Sequence, residues 1–368
     1  MRGRIALPLL IVAAALLPAC SKTVDEYVAD LESVAPDNGD LVKFDESGVI
    51  FDSGQLAHEA FAGLAEAEQM QLWQVMRALY HACMFIGEAR NQPLLQSDAA
   101  QVIAHIVTNL PVPPIEVELE RFTDINIPTA NFSKLLTARE PILIERYIEA
   151  LNAPDEVVVG ERLAILREKT GQDFGRDVEA WRAWFANEKD ARMARFVEES
   201  RAPLQEIGRY RYRNNSEARS PLRILSLWLR DYSYPGVDEY AIPATLCVAR
   251  QAAIHALNEA MNRATDAGVR GDVAAAMATI RDPAFHEPMI RMLERERDSM
   301  AAARIIRALS SYPGRRTILA VIGAMQAEDP RVMIAAEDTL ESITGMDLGR
   351  EARPWQEWWK AEGEKSWP

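Results

Sequence analysis

Histidines, cysteines and carboxylates are the side chains of this chain that could do chemistry. Among its 5 histidines and 3 cysteines, no two histidines have the spacing of paired metal ligands. His58-Glu59 lacks the second histidine of a zinc-protease helix, and His81 has only Cys83 close to it in the chain. The sequence also contains no Gly-x-Ser-x-Gly elbow and no glycine-rich phosphate loop. It therefore predicts no catalytic residue, no cofactor and no bound metal.

Cations and aromatic rings alternate in Arg209, Tyr210, Arg211, Tyr212 and Arg213, which we call the 209–213 segment. This alternation suits single-stranded nucleic acid, because arginine contacts phosphate while tyrosine stacks on bases. The net charge of -14 and the export signal described next both argue against a nucleic acid partner. We interpret the segment as an exposed connector, with contact to an anionic partner or a lipid headgroup as the alternative.

Residues 1–20 form a targeting segment. Arg2 and Arg4 precede an apolar run over residues 5–17. The run is shorter than the ~20 residues that a helix needs to span a bilayer, so it predicts a cleaved signal peptide. It ends in Leu17-Pro18-Ala19-Cys20, which resembles the lipobox of bacterial lipoproteins. The alternative is an ordinary signal peptide with an incidental cysteine.

The lipobox resemblance implies a modified Cys20. In such lipoproteins the cysteine thiol is lipidated, and cleavage leaves the cysteine as the new N-terminus. We therefore expect an exported protein that is anchored to the membrane through the lipid on Cys20. Ser21 is not the aspartate that favours inner-membrane retention in enterobacterial lipoproteins. By that analogy, we expect the outer membrane, with the protein facing the periplasm.

Cys83 and Cys247 are the remaining cysteines. Export permits a disulfide between them. However, Cys83 belongs to an apolar stripe with the spacing of one helix face, which runs from Leu72 to Ile86. Cys247 also lies in an apolar run. We predict two buried free thiols, with the disulfide as the alternative.

One stretch of sequence occurs twice at a constant offset. A Thr-Gly-x-Asp-x-Gly loop is followed in both copies by tryptophans that would share one face of a helix. We interpret these tryptophans as closing the apolar edge of a helical unit, with a peptide- or glycan-binding surface as the alternative. The aspartates are expected to cap backbone amides of the loop. The motif residues are Thr170, Gly171, Asp173, Gly175, Trp181 and Trp184 in the first copy, and Thr344, Gly345, Asp347, Gly349, Trp355 and Trp358 in the second.

The repetition extends upstream of the loop into a pair of helices. Ile144 matches Ile318, and Leu166 matches Leu340. Repeated helix pairs of this length are typical of an α-solenoid. The turn Asp329-Pro330-Arg331-Val332, with alanines following it, resembles the HEAT repeat. The resemblance implies an all-α, HEAT-like α-solenoid in two halves, preceded by a small irregular or β-hairpin segment.

The sequence divides into five regions. The predicted hairpin consists of residues 41–44 and 49–51, with Gly48 in the turn. The predicted regions are a signal peptide (1–19), an acidic tether with the possible hairpin (20–54), a first helical half closed by a Trp helix (55–190), a basic connector (191–218) and a second HEAT-like half closed by a Trp helix (219–368).

These features predict a binding protein. We expect a lipid-anchored cell-envelope scaffold or adaptor that binds an unidentified envelope protein through a helical-repeat surface, without catalysis of its own. The first alternative is a lyase-like or other enzyme subunit, because some HEAT-like repeat proteins act on bound tetrapyrroles. The second alternative is a structural component of the envelope.

Overall fold

The computed structural model of this chain describes residues 22–33, 42–44, 50–66, 71–88, 92–109, 127–327 and 329–367. Cys20 and the rest of the targeting segment lie outside these described residues, as does Gly48. The lipid anchor and the hairpin turn therefore stay predictions.

Almost all of the described residues are in α-helices joined by short loops, which confirms the all-α class. Two 3-10 turns, Pro283–Phe285 and Met325–Ala327, and a π-helical turn, Trp359–Gly363, extend helix ends. The α-helices are α1 (Val24–Ser33), α2 (Ser53–Glu66), α3 (Leu72–Glu88), α4 (Pro93–Asn109), α5 (Ile127–Ala138), α6 (Glu140–Ala150), α7 (Glu156–Thr170), α8 (Val178–Arg209), α9 (Asn215–Asp231), α10 (Pro235–Arg263), α11 (Ala267–Ile280), α12 (His286–Leu293), α13 (Ser299–Leu309), α14 (Arg315–Ala324), α15 (Pro330–Thr344), α16 (Ala352–Trp358) and α17 (Glu364–Ser366).

Two short strands precede α2. Strand β1 (Val42–Phe44) pairs antiparallel with β2 (Ile50–Asp52), and Lys43 lies opposite Phe51. These strands fall in the segments that the sequence assigns to a hairpin. The residues that would form its turn lie outside the described residues, so the hairpin connection itself stays a prediction.

Aspartate defines the start of many of these helices. An aspartate side chain before the first turn accepts hydrogen bonds from backbone N–H groups that have no partner within the helix. This local signal explains where several helices in both halves of the chain begin. The capping residues are Asp155 for α7, Asp177 for α8, Asp266 for α11, Asp298 for α13 and Asp329 for α15.

Most helices share one hydrophobic core. Helix α3 packs against α4, α9 and α10, while α4 packs against α11. The packing continues from α11 to α13 and from α13 to α15. Buried apolar side chains from α1 to α5 and from α8 to α16 form this continuous core.

A second, smaller core lies beside it. It is built from α6, α7 and the first turns of α8, and it is separate from the main core. The predicted first half (55–190) is therefore not one packed unit, because α2 to α5 belong to the main core. The small core consists of Ile144, Ile148, Leu151, Val159, Leu166, Trp181 and Phe185.

Helix α8 joins the two cores and contains most of the residues of the predicted connector. Trp181 and Phe185, near its start, lie in the small core, whereas Phe196 and Ile207, further along, lie in the main core. The charges of residues 191–218 favour a connector in the sequence interpretation. The apolar side chains between these charges recur at helical spacing, and they are the signal that this interpretation lacks. Residues 191–209 continue the Trp-bearing helix, which therefore forms most of the region that the sequence assigns to a connector.

Candidate functional site

The tryptophans of the repeated motif are structural in both copies. Trp181 and Trp355 are fully buried at 0% exposure. The indole N–H of Trp181 donates to the carbonyl of Gly175 at 2.9 Å, and that of Trp355 donates to the carbonyl of Gly349 at 2.7 Å. Because each indole has its only donor satisfied inside the protein, neither ring presents a polar group to a ligand.

The loop before each tryptophan is held by the same set of bonds. Gly171 and Gly345 end their helices with φ of 69° and 72°, a left-handed conformation that glycine adopts without strain. The side chain of Asp173 accepts from the Gly175 amide at 3.0 Å. The second copy repeats this bond at 3.3 Å between Asp347 and the Gly349 amide. The aspartates therefore order the loop, as the sequence predicts.

The partly exposed tryptophans complete an aromatic lid. Trp184 lies edge-on to Trp181 with ring centroids 5.9 Å apart, and Trp358 has the same relation to Trp355 at 5.9 Å. Such edge-to-face pairs stabilise packing beyond their buried area. The motif residues are thus brought together as two lids on helix pairs.

The 209–213 segment is half-buried. Tyr210 and Tyr212 are each 2% exposed, while the arginines between and beside them are exposed. Gln251 of α10 binds the segment's backbone, since it accepts from the Tyr212 amide at 3.0 Å and donates to the Tyr210 carbonyl at 3.0 Å. A partner at this segment would therefore meet arginine side chains and not stacked tyrosine rings, so the expected exposed connector is exposed only in its arginines.

The histidines of the described residues serve mostly as bonding partners between helices. His58 Nδ1 lies 2.6 Å from Asp98 Oδ2, which joins α2 to α4. His286 Nε2 lies 2.8 Å from the hydroxyl of Thr317, which joins α12 to α14. His81 is 2% exposed and is desolvated beside cationic Arg77, so its pKa is lowered. Within the described residues, no three histidine, cysteine, aspartate or glutamate side chains come together as a metal site.

Both cysteines of the described body are free and buried. Burial raises the pKa of Cys83 to about 12 and also raises that of Cys247. These thiols therefore stay protonated near neutral pH, whereas the reactive form is the thiolate. The prediction of buried free thiols is confirmed, and the alternative of a disulfide between them is wrong.

An open groove of about 580 Å³ lies between α12 and α14, with α13 and α15 below it. Its walls are mainly apolar. Leu319 is 40% exposed on the α14 side, and an added Cβ on Gly323 would meet nothing within 4 Å. Opposite them stand Ile290 and Leu293 of α12. A groove of this size and lining has room for apolar groups.

Charged groups border the groove. Glu294 and Arg316 are exposed at its rim. Glu296 is more deeply placed and is bound by Arg270 through two contacts of 2.6 and 2.8 Å. Burial acts against ionisation of Glu296, but Arg270 and neighbouring backbone N–H groups outweigh it and lower its pKa. This carboxylate is therefore held ionised and is poorly suited to donate a proton.

Sequence reasoning did not single out the groove residues. The inward face of α14 is marked by its buried apolar residues Ile318, Val321 and Ile322. Leu319 and Gly323 lie on the opposite face of the same helix, i and i+4 apart. An exposed leucine one turn before a helical glycine was the available signal, and it is too common to identify a site by itself.

The chain matches no protein-family model, no curated protein and no solved structure. No helix in the described part of the chain is long and apolar enough to cross a bilayer.

Proposed function

We propose that this chain is a lipid-anchored scaffold of the bacterial cell envelope that binds a protein partner in the groove between α12 and α14. The groove is the observation that carries the proposal. It is open, mostly apolar and formed by backbone elements that are fixed in the main core. The lipobox-like residues 17–20 supply the membrane anchor.

HEAT-like stacking of helix pairs supports this assignment. Helix α12 pairs with α13, and α14 pairs with α15, while α13 packs against α15 and α12 against α14. The second helix of each pair begins at a capping aspartate, Asp298 or Asp329. Stacked pairs of this kind present long surfaces whose shape is set before a partner arrives, which lowers the ordering cost of binding.

The chemistry of the groove indicates the kind of segment that fits. Leu319 offers contact to apolar side chains, such as one face of an amphipathic helix, while Ile290 and Leu293 are almost fully buried and form the wall opposite it. Arg316 at the rim is already paired with Glu287 at 2.7 Å, so Glu294 favours a cationic residue beside that face. The fitting partner is therefore an amphipathic segment with lysine or arginine flanking its apolar residues.

Two glycines provide a matched test of the groove. Gly323 in α14 and Gly160 in α7 both lie in helices, and a Cβ on either would have nothing within 4 Å. Gly323→Leu fills the groove, whereas Gly160→Leu adds the same side chain outside it. Crosslinking on intact cells followed by purification should recover a stoichiometric partner with the native chain and Gly160→Leu, but not with Gly323→Leu.

Equal recovery from both variants would sink the groove as the binding site. Thermal unfolding of both variants serves as the control, because replacing a helical glycine without a clash should preserve or slightly raise stability. A fall in stability confined to Gly323→Leu would show that the substitution disturbs the fold and would require Leu319→Gln as the groove variant.

The anchor is tested separately. Cys20→Ser should abolish lipidation, which is read from the mass of the N-terminal peptide. It should also remove the stable membrane attachment of the processed chain. If the variant is processed and still fractionates with membranes to the same extent, the lipoprotein assignment fails.

A further inference from the structure

Helix α1 fixes where the anchored end of the body lies. Three residues, Ser21, Lys22 and Thr23, separate Cys20 from the first residue of α1. At the maximum extension of a polypeptide, Cys20 therefore lies within roughly 14 Å of Val24. This inference rests on the proposed lipid anchor, and it identifies the surface of the body that faces the membrane.

Helix α1 is fixed to α3. Its Val28 and Leu31 are buried in the main core. Near the start of α1, Asp25 accepts a hydrogen bond of 2.5 Å from Gln74, in the first turn of α3. Near its end, Glu32 binds Arg77, one turn further along α3. The two helices therefore run side by side in the same direction, and the start of α1 lies near the start of α3.

Arginines and aromatic rings cluster at this end of the body. The guanidinium of Arg230, at the end of α9, lies 5.8 Å from the ring centroid of Trp73. Two residues later, the ring of Tyr232 is contacted by Arg139 at 4.9 Å and by Arg146 at 5.2 Å. We call these five residues the Trp73 end.

The chemistry of the Trp73 end suits a phospholipid surface. Arginine binds phosphate through a planar fork of donors, and tryptophan and tyrosine favour the depth of the headgroups. Asp231 neutralises Arg230, because both of its carboxylate oxygens bind that guanidinium, at 2.9 and 3.0 Å. Arg139 and Arg146 then supply the positive charge that this end presents. Lys22, on the anchored side of α1, likewise pairs with Asp30 at 2.8 Å.

We propose that the Trp73 end rests on the phospholipid headgroups of the membrane that holds Cys20. The proximity of the anchor and the charge of the arginines both indicate that phospholipid headgroups cover this end. The lipid tether brings this end within reach of the bilayer, and the arginines meet lipid phosphates there.

The 209–213 segment lies at the other end of the same helices. Asn215, at the start of α9, donates to the carbonyl of Cys83, near the end of α3. Arg219 pairs with Glu88, at the last residue of α3. Helices α3 and α9 are therefore antiparallel, and the segment is about 25 Å from the Trp73 end, which is the length of α9. This placement removes the segment from contact with lipid headgroups.

A quenching experiment on the lipidated full chain tests the proposal. Single fluorophores are attached at Leu136→Cys, 50% exposed one helical turn before Arg139, or at Ser216→Cys, exposed at the opposite end of α9. The native Cys83 and Cys247 are buried and should not react. The protein is inserted into vesicles of phosphatidylethanolamine and phosphatidylglycerol that carry a headgroup spin label as the quencher.

We expect strong quenching at position 136 and weak quenching at position 216. The variant Arg139→Gln, Arg146→Gln, Arg230→Gln should lose most of this contrast, because each arginine near an anionic surface strengthens attachment about fivefold, or roughly 100-fold for three. The matched control Arg291→Gln, Arg297→Gln, Arg307→Gln removes the same charge from exposed positions on and beside α12 and α13 and should keep the contrast.

The mass of the N-terminal peptide separates the two proposals. If Cys20 carries lipid but both labels are quenched equally, or position 216 more strongly, the Trp73 end does not face the membrane and the anchor stands. If Cys20 carries no lipid, the anchor fails and this inference fails with it. The difference in quenching between positions 136 and 216, measured in the chain with its native arginines, tests the orientation on the membrane even if the triple variant does not fold.

Discussion

The two Trp-bearing units share their internal bonds but differ in what covers their second helix. In the C-terminal unit, Ala335, Ala336 and Thr339 of α15 are buried where α15 meets α13. The matching positions of α7 are Glu161, which is exposed, and Arg162 and Ile165, which are half-buried. The repeated motif therefore determines how a unit closes on itself, whereas the outer face of its second helix determines whether another pair stacks on it.

This difference explains why the chain has two cores. Helix α15 extends the main core because its small side chains allow close approach to α13. Charged side chains on α7 leave much of that face to solvent, so the apolar side chains of α6, α7 and the start of α8 pack mainly on one another. We infer that the N-terminal unit is the weaker of the two and opens more readily.

Removing the central tryptophan should show the difference most strongly. Trp355→Ala should lower the free energy of unfolding by about 4 kcal/mol, because it leaves a large cavity in the main core. Trp181→Ala should open mainly residues 141–186 and leave the main core protected. Hydrogen exchange measured by mass spectrometry checks this, and identical patterns of exchange in the two variants would contradict the existence of two cores.

A leucine placed at one matched position should act differently in the two units. Ala336→Leu should cost about 2 kcal/mol, because it overpacks the contact of α15 with α13. Arg162→Leu, at the matching position of α7, should change stability by less than about 0.5 kcal/mol. Chemical denaturation measures both values. A large loss from Arg162→Leu would show that a further element covers α7.

Replacing either helix-ending glycine by alanine should lower the stability of its unit by the same amount. Gly171 and Gly345 have the same left-handed backbone, and an added Cβ on either would meet nothing within 4 Å. Backbone strain alone then sets the cost, at about 1 kcal/mol in each unit. Thermal unfolding of each variant tests this expectation, which would be wrong if one variant were as stable as the native chain.

A small effect of pH on the hydrogen bonding of Asp173 should distinguish the loop of the first motif copy from that of the second. The Gly175 amide and then the side chain of Arg167 lower the pKa of Asp173 below its usual value. The bonding of this carboxylate is thus present above the ordinary pKa of aspartate and is lost as the pH falls through the lowered value. At the position of Arg167, the second unit has Glu341, which carries the opposite charge.

The amide resonance of Gly175 should therefore move as the pH falls below 3.8, the ordinary pKa of aspartate. Asp173→Asn should remove this movement, because the amide oxygen accepts the same bond without titrating. Movement that persists in the variant would assign the transition to another group.

Local signals in the sequence were sufficient for the helices and for the loop of the repeated motif. The Thr-Gly pair predicts the end of α7, and Gly171 has the left-handed conformation expected of it. The two cores were not predictable in this way. They depend on which side chains of α8 meet which neighbours, and charged residues conceal the stripe formed by Phe196 and Ile207. The groove also depends on packing between helices that no local pattern encodes.

Photocrosslinking at the groove on intact cells tests the central proposal most directly. A photoreactive residue is placed at Leu319, 40% exposed in the groove, or at Leu94, 73% exposed on α4. We predict a single protein adduct from position 319, lost when Gly323→Leu is added, and none from position 94. No adduct at position 319, or the same adducts from both positions, would contradict the assignment of this chain as a scaffold that binds its partner in the groove.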